Sequence, residues 1–156
     1  VIEEISLRPI AAVVGGRDEP TDDRWGDVVA EIHLASWVPS GVLHGLEEFS
    51  HVEVIYLFDR VDPEAAPLAK RRPRNRQDLE EVGALAQRHK DRWNRLGLSR
   101  ATLIEVRDRS LVVQGLDAIA GTPILDLKPW FSAFGPIGEV VEPPWVSTIT
   151  EGYFSA

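Results

Sequence analysis

The sequence predicts a mainly β fold, an antiparallel β-barrel with few short helices, on three observations. Short β-branched and aromatic runs recur along the chain, and S-H-V-E-V-I-Y-L-F at residues 50–58 is the strongest of them. Clusters of Gly, Pro, Asp and Asn separate these runs at close spacing. Windows with a helical apolar period are scarce.

In chain order, Ile2 to Val14 alternates loosely and reads as an opening strand, with Arg8-Pro9 as an edge or bulge. Gly15 to Gly26, G-G-R-D-E-P-T-D-D-R-W-G, is a polar loop whose acids lack the register of a calcium-binding loop. Asp27 to Leu34 alternates as a second strand. Val42 to Phe49 is consistent with a helical turn, and Ser50 to Phe58 is a strand closed by the charged pair Asp59-Arg60. Val61 to Val82 contains three prolines and the cluster K-R-R-P-R-N-R with no recurring apolar face, so it reads as a long excursion. Glu80 to Leu85 reads as a strand, and Ala101 to Gln114 as two strands about a tight polar turn at Asp108–Ser110. The segment after Trp130 is loop-like, and Val146 to Phe154 suits one closing helical turn. The expectation is a single domain over 1–156 with no additional C-terminal domain.

A chain of 156 residues with 44% hydrophobic and 27% charged residues is large enough for a real core. No apolar run approaches a membrane span and no basic-then-apolar leader opens the sequence, so no membrane partner is expected. The absence of Cys removes disulfides, thiolate metal sites and cysteine nucleophiles, and fits a cytoplasmic location. His33, His44, His51 and His89 show no metal-ligand spacing, so no metal is expected. His51 is either an acid or base, or a structural residue at a strand start. No G-x-G-x-x-G follows a strand, there is no P-loop, and Ser99 lacks the nucleophile-elbow sequence. Net charge is −8, yet residues 70–100 hold ten of the seventeen Lys and Arg against four acids. That flank carries +6 and the remainder −14, an acidic body with one basic side.

The informative stretch runs from Gly83 to Trp130. Its first part, G-A-L-A-Q-R-H-K-D-R-W-N-R-L-G-L-S, sets Arg88, Lys90, Arg92 and Arg95 around Asn94, a loop suited to an anion or zwitterion. Its last part, Q-G-L-D-A-I-A-G-T-P-I-L-D-L-K-P-W, carries Asp117 and Asp126 on short apolar runs. Together they resemble the signature of the TsaA-like (TrmO/YaeB) family of S-adenosylmethionine-dependent methyltransferases. That signature reads G-V-F-A-x-R-S-x-x-R-P-N-P-I-G-L-S, then G-L-D-x-x-D-G-T-P-V-L-D-I-K-P-Y. This chain departs from it at His89 for serine, at Trp93 and Arg95 for proline, and at Trp130 for tyrosine. Its form A-Q-R-x-K-x-R-x-N-R-x-G resembles a variant branch.

The resemblance implies a single-sheet antiparallel barrel, S-adenosylmethionine as cofactor, a homodimer, and N-methylation of a threonylcarbamoyl-adenosine in the tRNA anticodon loop. Two alternatives stay open: a small-molecule methyl acceptor, or a non-catalytic S-adenosylmethionine-binding module. It further implies cofactor contacts at Asp59, Arg60, Arg88, Leu98 and the run Gln114, Gly115, Leu116, Asp117. Arg88 with Asn94 suits the cofactor carboxylate, the 114–117 backbone the adenine edge, and Asp117 or Asp59 the ribose hydroxyls or the sulfonium. Candidate substrate contacts are Trp25, Arg92, Trp93, Asn94, Arg95 and Lys128. Asp117, Arg92 and Asn94 are the candidates for a catalytic role. Trp25 is either a lid aromatic over the cofactor or a residue pinned to the core edge, and Trp93 either narrows the acceptor side or packs outward.

Overall fold

The computed structural model describes residues 3–155. Eight strands follow in order: β1 (Ala11–Val14), β2 (Val29–Leu34), β3 (His51–Leu57), β4 (Lys70–Arg71), β5 (Val82–Gly83), β6 (Leu96–Val106), β7 (Ser110–Gln114) and β8 (Pro123–Pro129). Six of them close into an antiparallel barrel in the order β1-β2-β7-β6-β3-β8, with β8 pairing back onto β1. Closure leaves no free strand edge in the barrel. Strands β4 and β5 form a separate two-stranded ladder within the excursion. Helix is confined to single 3₁₀ turns and one six-residue helix, α1 (Trp145–Thr150).

The interior follows strand alternation. Strand β3 buries Val52, Val54 and Tyr56, while β2 buries Ala30, Ile32 and Leu34. Strand β6 turns small residues inward, and register pairs small with large: Val52 with Ala101, Val54 with Ser99, Tyr56 with Gly97. A Cβ at Gly97 would stand 2.3 Å from a Tyr56 ring carbon. Gly97 does not have positive φ, so room for the ring, not backbone freedom, demands glycine there.

Three boundaries differ from the sequence reading. The opening strand starts at Ala11, and Ile2 lies outside the described residues. Residues Glu3 to Pro9 are exposed and unladdered, and Pro9 has no N–H to donate. The strand expected at Glu80–Leu85 shrinks to Val82–Gly83, because a 3₁₀ turn at Ala84–Ala86 bends the chain at once. Strand β6 reaches back to Leu96, so L-G-L-S is strand, held by pairing of Leu57 to Leu96 through Val54 to Ser99.

Gly97→Ala should destabilise the protein by roughly 1–3 kcal/mol through overpacking against Tyr56. A urea unfolding midpoint equal to the parent's would show that the ring does not sit on Gly97.

Candidate cofactor site

The site grows from the seat of Tyr56. Its ring lies on Gly97 and edge-on to Phe58, at 5.3 Å between centroids, and its hydroxyl leaves the core to meet Asp117. That hydroxyl donates to Asp117 Oδ1 at 3.2 Å and lies 3.3 Å from the Asp117 carbonyl oxygen. The other carboxylate oxygen, Oδ2, accepts from the hydroxyl of Tyr153 at 2.5 Å. Burial and the facing carboxylate push both phenols far above their ordinary value. The two hydroxyls therefore remain donors, and Arg88 is close enough to oppose the shift of Tyr56.

Asp117 belongs to the turn after β7, where Gly115 takes φ +81° and donates to Val28 O at 3.0 Å. Among the described residues, the next four N–H groups, of Leu116, Asp117, Ala118 and Ile119, have no hydrogen-bond partner. Leu116 and Ala118 are themselves buried. Unpaired donors on buried residues are costly, which makes this turn a polar edge suited to a ligand. The Leu116 side chain points into the core, so only its backbone can serve a ligand. Gln114 is likewise committed: its side-chain nitrogen donates to Gly26 O at 2.9 Å.

Arg88 is exposed on the signature loop, within electrostatic reach of the Tyr56 hydroxyl. Its guanidinium donates to Leu98 O at 2.7 Å, and with Glu53, Leu98, Ser99 and Arg100 it lines an open cleft of about 280 Å³. Arg100 stacks over Trp130 at 3.4 Å and pairs with Glu53 at 3.4 Å. Arg92 donates to Gln87 O at 2.6 Å and lies 3.4 Å from Ala84 O, while Arg95, at φ +50°, donates to Val61 O at 3.0 Å. Both hold the loop's shape while their charge stays unneutralised by any carboxylate among the described residues. Asn94 and Trp93 are exposed.

The remaining expected residues lie apart from this centre or are committed elsewhere. Asp59 and Arg60 are exposed after β3, Arg60 donating to Asp18 O at 3.1 Å. Lys128 pairs with Asp126 at 2.8 Å on the outer face of β8. Trp25 is 3% exposed, donates to Thr21 O at 3.1 Å, and carries Arg17 over its ring at 4.6 Å. That geometry packs the ring at the core edge, under the polar loop. His51 accepts or donates through Nδ1 to Ser50 Oγ at 2.7 Å, at the strand start. Among the described residues no group of three or more His, Asp or Glu could hold a metal.

The excursion is where charge and geometry part. Its arginines are tied within the chain: Arg71 to Asp91, Arg72 to Leu79 O, Arg74 to Asp23 at 2.7 Å, and Arg76 to Asp78 at 2.6 Å. Three of these four arginines face carboxylates, so the cluster's charge is largely neutralised within the chain. Arg74 also lies over the Tyr153 ring at 5.7 Å, joining the excursion to the site. Tyr56 and Tyr153 escaped the sequence reading as site residues. Alternation in β3 marks Tyr56 as inward, but nothing local says that its hydroxyl meets a residue in another turn.

Residues 17–135 match the tRNA-methyltransferase O N-terminal domain. The chain belongs to the tRNA-methyltransferase O family. The resemblance read from the signature is thereby confirmed. Over 105 residues the chain is 34% identical to the human tRNA (adenine(37)-N6)-methyltransferase, covering 67% of this chain and 23% of that protein. Over 142 residues it is 32% identical to a probable S-adenosyl-L-methionine-binding protein of Methanothermobacter thermautotrophicus, covering 86% and 96%. A crystal structure of TrmO from Pseudomonas aeruginosa superposes with a TM-score of 0.74 at 23% identity, covering 92% of this chain and 62% of that one, which establishes the shared fold. The chain thus spans about a quarter of the human relative.

His89, which stands where the signature has serine, is buried at both ring nitrogens without a partner. Burial first, then Arg71, Arg92 and Lys90, lower its pKa, with Asp91 opposing. A base whose folded pKa is depressed stabilises fully above its unfolded value of about 6.5 and loses that contribution as pH falls through it. Unfolding free energy should therefore decline between pH 7 and 5 more steeply in the parent than in His89→Ser. Parallel pH profiles of the two proteins would contradict this.

Proposed function

We propose that this chain is an S-adenosylmethionine-dependent methyltransferase whose cofactor is held by the Leu116–Ile119 turn, Asp117 and Arg88. The observation that carries this reading is the row of four unpaired N–H groups beside a carboxylate, with a guanidinium close by. An adenosine edge and ribose hydroxyls suit the first two, and an amino-acid carboxylate suits the third. The bound cofactor supplies an electrophilic methyl group to a nucleophilic nitrogen of the acceptor. The chain's contribution is to bind and to orient: the turn donates from backbone, Asp117 accepts hydroxyls from a fixed position, and Arg88 anchors the zwitterionic end. Of the catalytic candidates, Asp117 alone stands at this centre, while Arg92 supports the loop and Asn94 faces solvent.

The acceptor we infer is the threonylcarbamoyl-adenosine of a tRNA anticodon loop, in the cytoplasm, with the chain acting as a homodimer. Arg92 and Arg95 support it, since both bond carbonyls and keep their charge for phosphate, beside exposed Trp93 for stacking. A small-molecule acceptor is favoured by a different observation, the carboxylates that neutralise Arg71, Arg74 and Arg76.

Calorimetry should show S-adenosylmethionine and its demethylated product binding, with Arg88→Ala weaker by about 1.5–3 kcal/mol for both. No heat from either ligand on folded protein would end the reading, and binding without turnover would reduce it to a cofactor-binding module. For the acceptor, Arg95→Glu should weaken tRNA binding and lower the slope of log affinity against log salt by about 0.7–0.9 for each phosphate no longer neutralised. Arg76→Glu should leave both unchanged. Methyl transfer only to small acceptors, or equally to tRNA lacking the threonylcarbamoyl group, would reverse the assignment.

A further inference from the structure

Tyr153 lies beyond residue 135, where the family match ends, and the sequence places it in a segment with no evident chemistry. It follows α1, which buries none of its residues. Three contacts bring the tail back onto the barrel. The N–H groups of Arg24 and Trp25 donate to Gly152 O at 3.1 Å and Tyr153 O at 2.8 Å, a short ladder along the polar loop. Gly26 lies so close that a Cβ there would stand 1.7 Å from Phe154 O. The Tyr153 hydroxyl then reaches Asp117 Oδ2 at 2.5 Å. The loop that receives the tail is itself braced, by Arg17 on Thr21 and the Asp23 carbonyl and by Arg74 on Asp23.

We propose that Tyr153 is a positioning residue of the cofactor site, clamping the Asp117 carboxylate between its own hydroxyl and that of Tyr56. This rests on the reading of Asp117 as a cofactor contact. An Asp side chain on a turn exchanges among a few rotamers, with a broad final torsion, and donors on both oxygens select one orientation. Tyr56 alone holds Oδ1 from the rigid barrel, and Tyr153 supplies the second point. Each carboxylate oxygen has further lone pairs, so a clamped Asp117 still accepts hydroxyls from a ligand. The tail thereby makes the C-terminal residues part of the binding site while touching the ligand only through Asp117.

Tyr153→Phe separates clamping from packing, because it keeps the ring under Arg74 and against Phe154 and removes only the hydroxyl. Calorimetry with S-adenosylhomocysteine should show roughly ten-fold weaker binding, the loss of one hydrogen bond to a charged group. Circular dichroism confirms that the variant is folded. Unchanged affinity means that the ring only packs, and tighter binding means that the tail competes with the ligand; either overturns the clamp while leaving the cofactor reading intact. Failure of the parent itself to bind removes both. The clamp also has a readout without ligand, since Tyr56 and Tyr153 are the only tyrosines. Phenolate absorbance should show neither ionising in the ordinary range near pH 10 while folded, and Asp117→Asn should bring one of them down towards it. A parent tyrosine that titrates normally, or no change in Asp117→Asn, would overturn the proposal.

Discussion

Tyr56 can lie where it does because β6 presents no side chain beneath its ring, and the candidate site inherits its geometry from that fit. The pairing of Tyr56 with Gly97 is one step of a register in which β6 contributes Gly97, Ser99 and Ala101 to an interior that β3 fills with Tyr56, Val54 and Val52. Slipping β6 by one residue in that register would turn Leu98 and Arg100 inward and leave no room for the Tyr56 ring. The hydroxyl at the end of the ring emerges at the mouth of the barrel, where the turn after β7 brings Asp117 to meet it. Core packing and site geometry are here the same interaction read from its two ends.

Around this fixed point the chain assembles three segments distant in sequence. The loop before β2, the proline-broken excursion and the C-terminal tail converge through Asp23, Arg74 and Tyr153. None of these segments has a core of its own, and the polar contacts between them set how they cover the barrel. Much of the excursion's charge is consumed in this way. The count of +6 over residues 70–100 describes composition, whereas the charge open to a phosphate depends on which guanidinium faces a carboxylate and which faces a carbonyl. The difference moves the cationic surface from the arginine cluster to the signature loop.

Sequence alone was sufficient for the barrel's principal strands, because alternation in residues 29–34 and 51–57 reports which face is buried. It was sufficient, too, for the family, which the motifs carrying Arg88, Gly97 and the run Gly115 to Asp117 suggest and the match over residues 17–135 shows. Composition could not say that Trp25 is buried under Arg17, that Leu116 offers only its backbone, or that β6 begins at Leu96. The tertiary structure decided these, and it decided that Asp117 shares its carboxylate with residues 61 and 36 positions away in the chain. Periodicity and motif spacing encode local geometry and ancestry; a contact between a strand, a turn and a tail depends on how the barrel closes, and no local pattern carries that.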